Sequence, residues 1–169
     1  MILEIASNAA AAAAKPEAAN YFLQSMTFAS AFAAIGFAAL GSTIGCGVAG
    51  ASAIGAWKKC YSQNKVAPFQ LLVFAGAPLS QTIYGMILMF SIMDGRPEAW
   101  VFYLITGIIA GVAMGVSALW QGIACASACD AFSETGKGFA NQMVVICIIE
   151  TVAIFVMAFS MVLLSTFAN

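Results

Sequence analysis

Glu150 is the residue in this chain best placed to do chemistry. It stands in the middle of Val-Val-Ile-Cys-Ile-Ile-Glu-Thr-Val-Ala-Ile-Phe-Val-Met, residues 144–157, with long apolar runs on both sides. A carboxylate at that depth in hydrocarbon costs roughly 3 kcal/mol on insertion scales, so it points to ion binding or proton relay unless it is merely hydrogen-bonded within a helix bundle. Other polar side chains at similar depth are few. One group is Pro78-Leu-Ser80-Gln81-Thr-Ile-Tyr84, where helical geometry puts Ser80 and Tyr84 on one face and Gln81 about 100° round from Ser80. Pro78 removes a backbone donor and disturbs the carbonyls of the turn before it, which offers a main-chain oxygen as a ligand. The third element contributes Gln121, its lone deep polar side chain. Counted from Phe139, Phe132 and Phe69, the residues Glu150, Gln121 and Gln81 lie at one level, roughly 16–18 Å from the same end. One carboxylate, two amides, a hydroxyl and a phenol at one depth suit a hard monovalent cation, because such ions take oxygen ligands.

The elements that must hold these groups are membrane helices. The chain is 63% hydrophobic and 8% charged, with no histidine. A soluble domain is about a quarter charged. No alternating ten-residue segments of barrel type occur, so the class is an all-α polytopic membrane protein. Four apolar segments, about Tyr21–Trp57, Ala67–Met93, Ala99–Phe132 and Phe139–Phe167, each exceed the roughly 20 residues needed to cross. The division that follows is an N-terminal tail over 1–20, a first hairpin over 21–93, an external loop at 94–98 and a second hairpin over 99–169. The tail holds the alanine run Ala9–Ala14 and then Lys15-Pro16-Glu17; it lacks the basic start of a signal peptide. Lys58, Lys59, Lys65 and Lys137 outnumber Lys15 and Arg96, which places loops 58–66 and 133–138 in the cytoplasm and both termini outside. Trp57, Trp100, Tyr103 and Phe132 fall near segment ends, where aromatic residues anchor at the interface with lipid headgroups.

The two hairpins are duplicates. Gly47–Ala53 matches Gly122–Ala128 at an offset of 75 residues, with five identities in seven. Glycines concentrate on the odd helices: Gly41 and Gly45, extended by Gly47, Gly50 and Gly55, and then Gly107, Gly111 and Gly115 at four-residue spacing. Small residues so spaced let helix backbones approach closely in lipid, which predicts a tightly packed inner layer of helices one and three in a homo-oligomeric ring. Only the second hairpin carries a carboxylate; Gln121 corresponds to Cys46, and Glu150 falls opposite Ser80 or Gln81. The five cysteines match no zinc or redox spacing and read as small apolar packing residues, with Cys60 in a loop.

On Pro78-x-Ser80-Gln81-x-x-Tyr84, Gln121-Gly122 and Glu150-Thr151, the chain resembles the proteolipid (c or K) subunit of V-type and A-type rotary ATPases, in its four-helix, sodium-binding kind. The resemblance covers nearly all of residues 21–167. It implies a rotor ring in a prokaryotic cell membrane that turns against a stator subunit. Central-stalk subunits would meet its cytoplasmic loops, lipids would surround it, and a separate soluble head would couple rotation to ATP hydrolysis or synthesis. It also implies Na⁺ held by Glu150, Gln121, Gln81, Ser80 and the Ala77 carbonyl, with Tyr84 closing the site. Here Ser80 stands where sodium-binding relatives usually have threonine and Ala77 where they have leucine; neither change removes an oxygen ligand. The alternatives are the same rotor carrying H⁺, for which Glu150 alone would suffice, or a four-helix membrane scaffold. No catalytic constellation is present, so the chain is not expected to be an enzyme by itself. Gly136-Lys137-Gly138 lacks the flanking residues of a P-loop, and near-neutral charge points to no nucleic-acid partner.

Overall fold

A computed structural model describes residues 2–168, with side chains described for residues 17–167. The expectation of a tail over 1–20 falls largely outside the described side chains; the backbone there is helical and continuous with the first helix. The elements are α1 (Ile2–Ser62), α2 (Leu71–Gly76), a single 3₁₀ turn at Ala77–Leu79, α3 (Ser80–Met93), a second 3₁₀ turn at Pro97–Ala99, α4 (Trp100–Thr135) and α5 (Phe139–Ala168). Among the described residues there is no strand, and four helical rods are long and apolar enough to cross a membrane: Glu17–Ser62, Leu71–Met93, Pro97–Thr135 and Phe139–Phe167. The first of these has 46 residues. At 1.5 Å per residue it is more than twice as long as a hydrocarbon core of about 30 Å, so α1 projects well beyond the bilayer.

Two boundaries differ from those read in the sequence. Helix α1 runs past Trp57 to Ser62, so Lys58–Ser62 are helical and the connection is residues 63–70. Cys60 therefore lies in the last turns of α1 rather than in a loop, and it is buried. Charge at Lys58 and Lys59 does not end a helix whose next turn still packs; the break comes at Asn64, which adopts φ 53°. Trp57 braces the connection through its indole N–H, which donates to the Pro68 carbonyl at 2.8 Å. Helix α4 likewise extends to Thr135 and ends at Gly136, whose left-handed φ of 63° lets its N–H reach the Phe132 carbonyl at 2.8 Å.

The duplication is written into the packing. Helices α1 and α4 run side by side in parallel, with equivalent positions of the two repeats facing each other. Ser52 Oγ donates to the Ala126 carbonyl at 2.8 Å, and Lys59 pairs with Glu134 at the loop end. Gly41 meets the backbone of Gly115, and Gly45 meets that of Gly122. Gly107, Gly111 and Gly115, expected to pack the ring, are buried against α1 of their own chain. A Cβ on Gly111 would lie 2.8 Å from the Ala34 carbonyl oxygen, and one on Gly115 would lie 2.5 Å from that of Phe37. The close approach these glycines allow is thus used inside the subunit, between the two hairpins. Gly47, Gly50 and Gly55 are different: a Cβ on any of them would meet nothing within 4 Å.

Helix α3 lies across α1 and α4, and α5 sits against α3 and α4, away from α1. Aromatic rings fasten both ends. Phe74, Phe132 and Phe139 cluster at the loop end with centroids 5.3–6.3 Å apart, and Phe102 stacks on Phe167 at 4.2 Å at the other. Outward, Phe32, Ile109, Val145, Ile148, Phe155, Phe159 and many other large apolar side chains are exposed. That is the surface of a helix bundle solvated by lipid tails or by further copies, not by water.

Candidate ion-binding site

The site begins with Pro78. Having no N–H, it cannot continue an α-helical ladder, and the chain tightens into the 3₁₀ turn Ala77–Leu79 before α3 starts afresh at Ser80. The Ala77 carbonyl, which the sequence offered as a bare ligand, is engaged locally: it accepts the backbone N–H of Ser80 and also its hydroxyl at 3.2 Å. The same hydroxyl lies 3.2 Å from Gln81 Oε1. Three oxygens, the Ala77 carbonyl, Ser80 Oγ and Gln81 Oε1, thereby gather at the head of α3.

Gln81 and Gln121 are completely buried, and they join directly: Gln81 Nε2 donates to Gln121 Oε1 at 2.8 Å. Gln121 Nε2 donates in turn to the Ile146 carbonyl and to Glu150 Oε2, both at 3.3 Å. Tyr84, one turn beyond Ser80 on α3, donates its phenol to Glu150 Oε1 at 2.6 Å. One hydrogen-bonded chain therefore runs Ser80–Gln81–Gln121–Glu150–Tyr84 across α3, α4 and α5 of a single subunit. The five side chains and the Ala77 carbonyl singled out in the sequence come together. Thr151 does not join them; its hydroxyl turns back to the Cys147 carbonyl at 2.8 Å.

Ser117 was missed by the sequence reading, which took Gln121 as the lone polar side chain deep in the third helix. One turn before Gln121, buried Ser117 donates to the Ile149 carbonyl at 2.9 Å. Ser117 and Gln121 together grip two successive turns of α5, at Ile149 and Ile146, and so fix where Glu150 points. A serine among alanines and glycines looks like another small packing residue; only the direction of its hydroxyl distinguishes it.

The donor set fits a hard monovalent cation. All available donors are oxygens, one of them a carboxylate, and among the described residues no group of three His, Cys, Asp or Glu side chains could hold a transition metal. With one negative charge against several neutral oxygens, the site would leave a divalent ion under-compensated. The cysteines take no part in disulfides; Cys60, Cys125 and Cys129 are buried, and Cys147 is exposed.

Comparison with known proteins is consistent with this geometry. Residues 104–163, which contain Gln121 and Glu150, match the family described as the ATP synthase C subunit. The chain is also similar to the A-type ATP synthase K subunit of Methanocaldococcus jannaschii, with 35% identity over 133 residues. That match covers 78% of this chain and 58% of the relative, so the chain spans little more than half the relative's length. The two matches bear out the resemblance to proteolipid subunits read from the residues.

Proposed function

We propose that this chain, whose residues 104–163 belong to the family of ATP synthase C subunits, is a rotor-ring subunit of an A-type ATP synthase, and that its coupling ion is Na⁺. By itself the chain catalyses no reaction. Copies of it form a ring that turns in the membrane against a stator subunit, with the stalk of the soluble head at the connections 63–70 and 136–138. Each passage of the stator opens the site, exchanges its ion and closes it again.

The observation that carries the Na⁺ reading is the oxygen cluster beyond the carboxylate. A proton needs one carboxyl. Here the Ala77 carbonyl, Ser80 Oγ and Gln81 Oε1 gather within 3.2 Å contacts at the head of α3, joined to Glu150 through Gln121. Ala77, Ser80, Gln81, Gln121 and Glu150 would hold the cation, and Tyr84 would hold the carboxylate in the closed state. The rival reading, H⁺, draws on the same network: Glu150 is already hydrogen-bonded at both oxygens without a cation.

Labelling separates the two. Carbodiimides modify a protonated carboxyl, and Na⁺ on the same oxygens competes with that proton. Glu150 in the purified ring is expected to label, millimolar Na⁺ is expected to protect it, and protection should strengthen as pH rises and protons become scarcer. Glu150→Gln should neither label nor transport. Labelling indifferent to Na⁺ between about pH 6 and 9, a range spanning ordinary carboxyl and amine titration, would make this a proton site.

A further inference from the structure

The buried hydroxyl of Ser42 has no hydrogen-bond partner among the described residues, although the side chain is only 2% exposed. Buried polar atoms are nearly always paired, so an orphan needs a reason. Its neighbour Thr43 bonds back to the Ala39 carbonyl at 2.8 Å in the ordinary way; Ser42 does not use the equivalent Ala38 carbonyl. The repeat makes this more pointed. Ser42 is the counterpart of Ser117 at the 75-residue offset, and Ser117 is the hydroxyl that grips α5 beside Glu150.

Packing fixes the level of Ser42. A Cβ on Gly85 would lie 2.8 Å from Ala38 Cβ, and one on Gly45 would lie 2.9 Å from Pro78 Cβ. Helices α1 and α3 run antiparallel, so positions between these two contacts face each other step for step. Ser42 is four residues from Ala38 and three from Gly45; Gln81 is four from Gly85 and three from Pro78. Ser42 therefore stands at the level of Gln81, which is itself completely buried.

We infer that Ser42 is the acceptor that takes over the Gln81 amide when the site is loaded with a cation. The inference rests on the Na⁺ reading above. Gln81 Nε2 now gives its hydrogen bond to Gln121 Oε1. For Gln121 to serve as an oxygen ligand, that Oε1 must turn to the ion, and the Gln81 amide loses its acceptor in a dry interior. Ser42 Oγ is the unclaimed oxygen at its level, and once it accepts, its own proton has the Ala38 carbonyl one turn back. Helix α1, which supplies no ligand, would thus sense occupancy. A protonated Glu150 requires no turn of Gln121 and leaves Ser42 idle. Ser42 is a positioning residue for the loaded state only.

The test is Na⁺ protection of Glu150 against a carbodiimide, in assembled rings at fixed pH. Without Na⁺, Ser42→Ala should label as wild type does, whereas half-protection should need about tenfold more Na⁺, the equivalent of one lost hydrogen bond. Ser42→Cys, similar in shape but a weak acceptor, should shift the same way. Unchanged protection in either variant, with wild type protected, overturns the inference and leaves the ion reading standing. Failure of Na⁺ to protect wild type removes both. Should the variants not assemble, a density map of the Na⁺-loaded wild-type ring decides. Gln81 Nε2 within about 3.2 Å of Ser42 Oγ supports the inference, and Gln81 Nε2 still on Gln121 overturns it.

Discussion

Glu150 accepts one hydrogen bond at each carboxylate oxygen, and the two donors would fail differently. Tyr84 touches only the carboxylate, at 2.6 Å, a short charge-assisted bond. Tyr84→Phe keeps every ion ligand but removes a bond to a charged group worth about 1.5–3 kcal/mol. Half-protection by Na⁺ should then need on the order of ten- to a hundredfold more Na⁺, measured by carbodiimide labelling. Gln121→Ala deletes a ligand and also releases the Ile146 carbonyl and the Gln81 amide. It should weaken Na⁺ at least as much and in addition lower the melting temperature of the ring, which Tyr84→Phe should barely move. Ser80→Thr retains the hydroxyl and should bind as wild type does. These site residues were legible because polar atoms are rare at that depth and their distances from the helix ends agree. Ser117 and Ser42 were not. Serine is ordinary in a small-residue helix, and nothing in its letter says whether the hydroxyl returns to its own backbone or reaches another helix.

Helix pairing explains why the glycines read correctly as a close approach but were assigned the wrong partner. Spacing shows that a backbone can come near; it does not say whose. The offset of 75 residues held the answer, since parallel packing of α1 on α4 sets each repeat against its copy. Two sets of glycine therefore make opposite predictions. Gly115→Ala puts a methyl 2.5 Å from the Phe37 carbonyl oxygen, which is backbone and cannot swing aside. It should destabilise the isolated subunit by about 1–3 kcal/mol, read as a fall in its unfolding midpoint in detergent. Gly47→Ala, Gly50→Ala and Gly55→Ala meet nothing within 4 Å. In the isolated subunit they should be neutral or stabilising by up to about 1 kcal/mol, since alanine favours helix over glycine. If those same variants lose the ring, the open glycine face is where copies touch. Pro78 was read as a kink that frees a carbonyl. The chain instead tightened to a 3₁₀ turn, and Ser80 occupied the oxygen, because a backbone acceptor in a dry interior takes the nearest donor.

The whole molecule holds four membrane-crossing rods but one buried carboxylate, and duplication followed by loss accounts for it. The first hairpin has Ser80 and Gln81 where the second has Glu150, and both hairpins now serve one site: α3 supplies Ser80, Gln81 and Tyr84, α4 supplies Gln121, and α5 supplies Glu150. Because every group of that site lies in one chain, occupancy should not depend on a neighbouring copy for its ligands. For a ring of such chains, each copy would carry one ion per turn. A ring of the same helix number built from single hairpins, each with its own carboxylate, would carry twice as many. The work of one rotation is then divided among half as many ions, so each ion can be moved against a steeper gradient, at the expense of needing more ATP per ion when pumping. Counting the ions is the direct check. Equilibrium binding of radioactive Na⁺ to the purified ring, against its protein concentration, should saturate at one ion per chain, and complete carbodiimide modification of Glu150 should abolish that binding in proportion. Saturation at two ions per chain would require a second site in the first hairpin, where no carboxylate exists, and would sink both the gearing and the assignment of charge to Glu150 alone.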